Sequence, residues 1–290
     1  MSAFDIAISE TIWDGKLPLQ VTFHPTESIS SARTPDPIYI EVARLSYLSL
    51  LTHQLHSIYT GLGIQTQPEN VWYDYNGEPL KWHFPIGLLY DLYNFPISQV
   101  PTFGEKASLP WRINIHFDEF PIDKILRNPT LDTTQDMFMS MLKEADFLRH
   151  GTTKRVMNMS KRDQTQLWQS LVQGKYSEYW SVNKHLLENG QLARHIPLRL
   201  YMPYKCPPIQ ELVPGNTEEH PLLIGDAMTR ILPDLFPSDD QEECDAIPVI
   251  HGVPLPLDTP LGWASDNLCF ADNFLHIVIS KKGTDNGLDT

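Results

Sequence analysis

A pattern written twice in the chain, 175 positions apart, constrains its fold more than any other feature. The stretch "YNGEPLKWHFPIGLLYDL", from Tyr75, aligns with "IHGVPLPLDTPLGWASDNL", from Ile250. Gly77, Pro79, Leu80, Pro85, Gly87 and Asp91 meet Gly252, Pro254, Leu255, Pro260, Gly262 and Asp266, and Ile86 meets Leu261. The shared form is G-x-P-L-x4-P-[IL]-G-x3-D. Seven matches in one register read as two copies of one structural unit.

The flanking sequence gives each copy the same order of elements. Ahead of the first, "LPLQVTF" and "PIYIEVA" read as strands, and Leu45, Leu48, Leu51, Leu55 and Ile58 recur at helical spacing. "VWYDY" is a strand turned by Asn76-Gly77, a strong hairpin signal. "WRINIHF" alternates, with Trp111, Ile113, Ile115 and Phe117 on one face and Arg112, Asn114 and His116 on the other. Burying those four apolar side chains is worth roughly 6–12 kcal/mol before conformational entropy is charged. In the second copy "HIPLRLYM" is a strand, "LLIGDAMTRIL" a helix, "IPVIHG" a strand with a tight turn, and "NFLHIVIS" the closing strand. Strand, strand, helix, strand, short helix, strand is the order of a β-grasp, or ubiquitin-like, unit.

Residues 131–190 carry almost no strand signal. Thr133 with Asp136 opens one helix and Gly151 ends it; Ser160 with Asp163 opens a second, ended by Gly174. Tyr176, Tyr179, Trp180, Asn183 and Leu187 mark a third. The expected architecture is α+β: two β-grasp domains flanking a helix-rich domain. The boundaries are an N-terminal helix at 1–14, a first ubiquitin-like domain at 15–122, a helix-rich domain at 123–192, a second ubiquitin-like domain at 193–284 and a tail at 285–290. Asn94 to Pro110 reads as a long surface loop.

A formal net charge of -14 opposes binding to nucleic-acid backbones and to anionic lipid, unless a local basic patch exists. Three cysteines and no CxxC pair argue against a disulfide framework and for a reducing compartment. No apolar run is long enough for a transmembrane helix, and the first residues lack the basic start of a secretory signal. A soluble, cytoplasmic protein is expected.

Within "DMFMSMLKEADFLRH", Phe138, Met141, Leu142, Ala145 and Leu148 cluster on one side of a helix, and Lys143 lies nearly opposite. Two readings stand open. One is a solvated lysine paired with Asp146, worth a few tenths of a kcal/mol. The other is an acceptor amine. A lysine at the ordinary pKa near 10.4 is only about 0.04 % neutral at pH 7. A partner enzyme would therefore have to supply the base or the desolvation.

"MSMLKEAD", "DYNGEPLKWHFPIGLLYDL", "LPWRINIHF", "VIHGVPLPLDTPLGW" and "DNFLHIVIS" resemble the autophagy protein 5 family, and the resemblance runs from about Ile12 to Ser280. It implies that the lysine of "KEAD", Lys143, receives the C-terminal glycine of a ubiquitin-like modifier, autophagy protein 12. It also implies binding to the N-terminal helix of the coiled-coil autophagy protein 16. Transient contact with the E2-like enzymes autophagy proteins 10 and 3 is implied too. The conjugate would act as an E3-like scaffold, moving autophagy protein 8 onto phosphatidylethanolamine at the phagophore membrane. The resemblance implies no catalysis by the chain itself, no cofactor and no metal. The end "GTDNGLDT" lacks a donor glycine terminus, which suits an acceptor.

Other candidates are weighed on their residues. His251, in the turn of the second unit, is either a partner contact or a turn histidine bonded to backbone. Trp82 and His83 read as core or covered turn, and Phe4, Ile8 and Ile12 as a docking helix or one packed on the body. A groove for the partner helix is expected where the two units and the helical insert meet. Cys269 with His276, or Cys206 with a distant histidine, would be needed for a thiol enzyme; His53 and His56 alone are too few for a metal. A non-covalent β-grasp adaptor remains the other alternative.

Overall fold

The computed structural model describes residues 4–23, 35–61, 63, 70–94, 109–127, 129–187, 193–202, 206–215, 221–238 and 244–281. Most of the expected loop at 94–110 and all of the tail at 285–290 lie outside the described residues.

The Asp5 carboxylate caps the first helix, α1 (Ile6–Trp13), by accepting from the backbone N–H groups of Ala7 and Ile8. Strict alternation then buries Leu17, Leu19, Val21 and Phe23 along β1 (Lys16–Phe23). This strand pairs antiparallel with β2 (Ile38–Ala43). Helix α2 (Leu48–Gly61) buries Leu48, Leu51 and Leu55. Ile58, which shares their spacing, is exposed instead. The hairpin β3 (Trp72–Tyr75) and β4 (Glu78–Pro79) turns through Asn76 at φ 52° and Gly77 at φ 80°. Two successive positive φ values are what an Asn-Gly turn supplies. Helix α3 (Ile86–Asn94) follows, and β5 (Trp111–His116) closes the sheet, parallel to β1. The sheet order is β2-β1-β5-β3-β4. A parallel central pair needs a crossover, and α2 lies within the connection that provides it.

His116 does not join Arg112 on the solvent face of β5. It is buried, with Nε2 at 2.5 Å from Asp74 Oδ2 and its ring stacked on Trp72 at 3.8 Å. A carboxylate on the neighbouring strand makes an inward histidine affordable.

Four helices follow: α4 (Leu131–His150), α5 (Lys154–Met157), α6 (Lys161–Val172) and α7 (Tyr176–Leu187). Helix α4 begins one turn earlier than Thr133 suggests. Thr130 is its cap, and Thr133 serves as the reciprocating residue of the capping box. Gly151, at φ 69°, ends it in the left-handed conformation. Ser160 caps α6 as expected, its Oγ accepting from Asp163 N and donating to Asp163 Oδ2.

In the second unit Pro197 splits one expected strand into β6 (His195–Ile196) and β7 (Leu198–Tyr201). Proline has no N–H for the ladder, while its carbonyl accepts from Leu275 N at 2.8 Å. Strand β8 (Val213–Pro214) pairs with β6, and Ile209 alone bridges to Leu200. Helix α8 (Ile224–Ile231), the hairpin β9 (Ala246–Ile250) and β10 (Val253–Pro254), helix α9 (Leu261–Asn267) and β11 (Leu275–Lys281) complete the unit. The sheet order is β10-β9-β11-β7, with β7 and β11 parallel.

The repeat is structural. His251 and Gly252 take φ 52° and 79°, matching Asn76 and Gly77. Pro85 bridges Tyr47 just before α2, and Pro260 bridges Leu223 just before α8. Ile86 N donates to Ser46 O, and Leu261 N to Leu222 O. One hydrophobic core runs through both units and the bundle, from Trp13 to Ile279.

Candidate functional site

Helix α4 carries Lys143 and is tied to both β-grasp units. Near its start Thr134 Oγ1 donates to Ser49 Oγ of α2 at 2.6 Å. Near its end the Arg149 guanidinium, buried, donates to Ser265 O and Oγ of α9 at 3.1 and 2.8 Å and lies 3.8 Å from Asp266. Between them Glu144 meets Arg199 of β7 at 2.9 Å and accepts from Gln210 at 2.7 Å. Met141, Ala145 and Leu148 pack with Phe274 beneath the same contact.

Lys143 is half-buried, on a face shared with exposed Asp136, Ser140 and Phe147. Among the described residues it makes no ion pair. The expected partner, Asp146, is buried instead and accepts from the backbone N–H groups of Arg155 and Val156 at 3.1 and 3.3 Å. Its azimuth on α4 falls toward α5, whose first turn offers unpaired N–H donors. Those donors, rather than an exposed ammonium, take the carboxylate.

A cleft of about 680 Å³ opens beside this helix. Met137, Met141 and Glu144 form one wall, Phe84 and His83 of the first unit another, and Arg199 and Tyr201 of the second unit a third. Ile122 and Leu126, about half exposed, rim it. Burial pushes the His83 imidazole down to about 4, helped by Lys81 and Arg199. Trp82 lies in the core, its Nε1 donating to Leu126 O.

The structure gives His251 an internal role. Its Nε2 lies 2.8 Å from Leu268 O, and its ring stacks on Phe270 at 4.3 Å. Burial pushes it down to about 3, so the ring is neutral at physiological pH. A ring held this way braces the turn. The helix of Phe4, Ile8 and Ile12 packs on the body: Asp5 N donates to Asn267 Oδ1, Trp13 Nε1 to Gly174 O, and Phe4 meets Trp180 at 4.9 Å.

The thiol pair does not assemble. Burial pushes the Cys269 thiol up to about 11. His276 is committed elsewhere, with Nδ1 near Tyr201 Oη at 2.8 Å and Nε2 near Asp272 at 2.9 Å. Cys206 is exposed on a proline-flanked segment. Among the described residues no group of three His, Cys, Asp or Glu side chains could hold a metal ion, so His53 and His56 stay without a third ligand.

Two networks escaped the sequence. Arg44 Nη2 donates to Asp91 Oδ1 at 2.6 Å and to Gly87 O at 3.2 Å, while Gly252 N donates to Asp91 Oδ2 at 2.9 Å. Burial pushes the Asp91 carboxyl up to about 6 against the pull of Arg44. The repeat aspartate of the first unit thus holds the hairpin turn of the second. The other network is Glu144–Arg199–Gln210. Only the repeat itself, which singles out Asp91, hinted at either.

Three family models match the chain. Residues 12–117 match the one described as Autophagy protein ATG5, UblA domain; residues 131–189 match its alpha-helical bundle region; residues 195–279 match its UblB domain. The chain is 34 % identical to Autophagy protein 5 of Phaeosphaeria nodorum, over 95 % of this chain and 97 % of that one. It is 33 % identical to Autophagy protein 5 of Drosophila melanogaster, over 97 % and 99 %. The crystal structure of Kluyveromyces marxianus Atg5 shares its fold, with a TM-score of 0.75 at 21 % identity over 94 % of this chain and 98 % of that one.

Proposed function

The chain belongs to the autophagy protein 5 family, non-catalytic E3-like scaffolds of ubiquitin-like conjugation in autophagosome formation, and on that premise we propose that Lys143 is its conjugation acceptor. The observation that carries this reading is an amine with no ion-pair partner among the described residues, on a helix strapped to both β-grasp units. A reactive lysine on a fixed element can be presented in one orientation to a large donor complex. The donor is the modifier autophagy protein 12, carried as a thioester on the E2-like autophagy protein 10. The ammonium first loses a proton. Its lone pair then attacks the glycine carbonyl, the C–N bond forms as the C–S bond breaks, the thiolate leaves with the electron pair, and a second proton leaves the nitrogen.

The helix of the coiled-coil autophagy protein 16 fits the three-walled cleft, where Ile122 and Leu126 provide apolar footing. The conjugate then engages autophagy protein 3. Peripheral recruitment to the phagophore membrane is supported by a local basic face. Residues 154–162, "KRVMNMSKR", hold four basic and no acidic residues in a chain of net charge -14, and Lys154, Lys161, Arg162 and Met157 are exposed. Such a face attracts anionic lipid over a Debye length despite the overall sign.

Co-expression with the modifier and its E1-like and E2-like enzymes, read on reducing denaturing gels, tests the acceptor. The chain is expected to shift by the mass of the modifier, and Lys143→Arg to abolish the shift. A full shift in Lys143→Arg would sink the assignment. No shift in either chain would favour a non-covalent adaptor.

A further inference from the structure

The solvent-facing stripe of α4 has two different ends. At about 100° per residue, Asp132, Asp136, Ser140 and Phe147 all fall within about 60° of the Lys143 azimuth. All of these are exposed, and Lys143 is half-buried on the same stripe. The N-terminal end is acidic: Asp132 and Asp136 make no ion pair among the described residues. The middle is bare, because Ser140 Oγ folds back to donate to Asp136 O at 2.8 Å. The C-terminal end is aromatic. Phe147 is 54 % exposed and is the one large apolar side chain left open on this helix among the described residues. Single exposed apolar side chains are common on protein surfaces, and it is position that sets this one apart. Phe147 lies one turn beyond Lys143, about 6 Å along the axis, as its i,i+4 neighbour.

Resting on Lys143 being the acceptor, we infer that Phe147 is the apolar foothold of the E2-like thioester carrier on this chain, and that Asp132 and Asp136 receive basic side chains of the same carrier. Attack brings the thioester carbonyl into bonding distance of the lysine nitrogen. The carrier's sulfur is bonded to that carbonyl, so the carrier's surface must cover whatever lies one turn from Lys143. The modifier is joined only through its terminal glycine, and its folded part stands further off. Phe147 is therefore desolvated in the act of delivery. On the other side of the amine, Asp136 lies about 10 Å along the axis. Ends of unlike chemistry let the carrier seat in one direction only, with its sulfur over Lys143 between them. The apolar contact supplies affinity, while the opposite charges steer the encounter and fix its register. Because α4 is tied to both β-grasp units, the foothold and the amine keep one spacing.

The test is single-turnover discharge of the modifier from its E2-like thioester onto the full chain, read against chain concentration, with uncharged carrier added as a competitor. Phe147→Ala is expected to raise the half-saturating concentration about three- to ten-fold, the effect of covering the open half of a phenylalanine. The plateau rate and the melting profile should stay those of the parent, and Phe147→Leu should recover most of the loss. Uncharged carrier should inhibit discharge, and Phe147→Ala should weaken that inhibition by the same factor. Asp132→Asn combined with Asp136→Asn should also raise the half-saturating concentration, by a margin that closes as salt is added. An unchanged half-saturating concentration in Phe147→Ala would overturn the inference, as would a lower plateau alone, which would make the ring a support for the helix. Absent competition, or competition that Phe147→Ala leaves unchanged, would put the modifier on the ring in the carrier's place and overturn it too. A margin for the aspartates that ignores salt would overturn the directional seating. Product formed on Lys143→Arg would instead bring down the acceptor assignment beneath it.

Discussion

The two β-grasp units share a motif but spend it differently. In the first, Gly87 lies under Arg44: a Cβ there would come within 2.8 Å of the Arg44 Cβ and 2.9 Å of its carbonyl oxygen. In the second, Gly262 has open space at the same position. Asp91 is fully buried and ion-paired with Arg44, whereas Asp266 keeps a side chain 40 % exposed at 3.8 Å from Arg149. The first hairpin is closed from within, Gly77 N donating to Asp74; the second is closed from outside, Gly252 N donating to Asp91. The first sheet has five strands, while in the second the counterpart of β2 is reduced to the Ile209 bridge and a strand paired with β6. A duplicated unit can thus keep its backbone plan while one copy's side chains become the joint between copies.

The sharpest way to break this asymmetry is at the paired aspartates. Asp91→Ala leaves Arg44 buried without its counter-ion and the Gly252 N–H without its acceptor. It should cost about 3–5 kcal/mol in denaturant unfolding, against about 0–1 kcal/mol for Asp266→Ala. Equal costs would show that the buried pair is not what distinguishes the units.

Acid should act next. His251, neutral and held down to about 3, occupies the turn position that Asn76 fills in the first unit. An unfolded histidine titrates near 6.5, so between about pH 6.5 and 3 the unfolded chain binds the extra proton. Stability from His251 is therefore complete above about pH 6.5 and falls as pH drops, by up to about 1.4 kcal/mol per unit. His251→Asn, which copies the first turn, should flatten that slope in melting curves taken against pH. An unchanged slope would place the acid sensitivity elsewhere.

The glycines should differ by less. Gly87→Ala forces backbone or Arg44 to move and should cost about 1–3 kcal/mol. Gly262→Ala, in a helix with room for a methyl, should be neutral or stabilise by up to about 1 kcal/mol. Smallest of all, Lys143→Arg should leave the melting profile within about 0.5 kcal/mol of the parent, which separates its effect on conjugation from any effect on folding.

Much of this fold was legible because it is written in local periodicity. Alternation placed β1 and β5, the Asn-Gly pair placed the first hairpin, and Ser160 with Asp163 placed a helix start. The errors arose where a partner distant in sequence overrode a local rule. His116 turned inward because Asp74, 42 residues away, receives it. Asp146 left Lys143 because α5, a helix too short to show periodicity, supplied backbone donors. Arg199 and Glu144 are 55 residues apart, and nothing in either neighbourhood marks them as partners. Lys143 itself was singled out by the resemblance of "KEAD" to a family motif; spacing alone made it an ordinary exposed lysine.

The seating of α1 has a consequence for how the protein is made. Trp13 hangs from Gly174 and packs on Tyr176 and Tyr179, so the segment that leaves the ribosome early finds its apolar berth only after 161 more residues have been translated, and Asp5 is tied to Asn267 later still. Until then its apolar side has nowhere to go. A nascent chain stalled short of Gly174 would expose that helix, giving quality-control factors a ready mark of incompleteness.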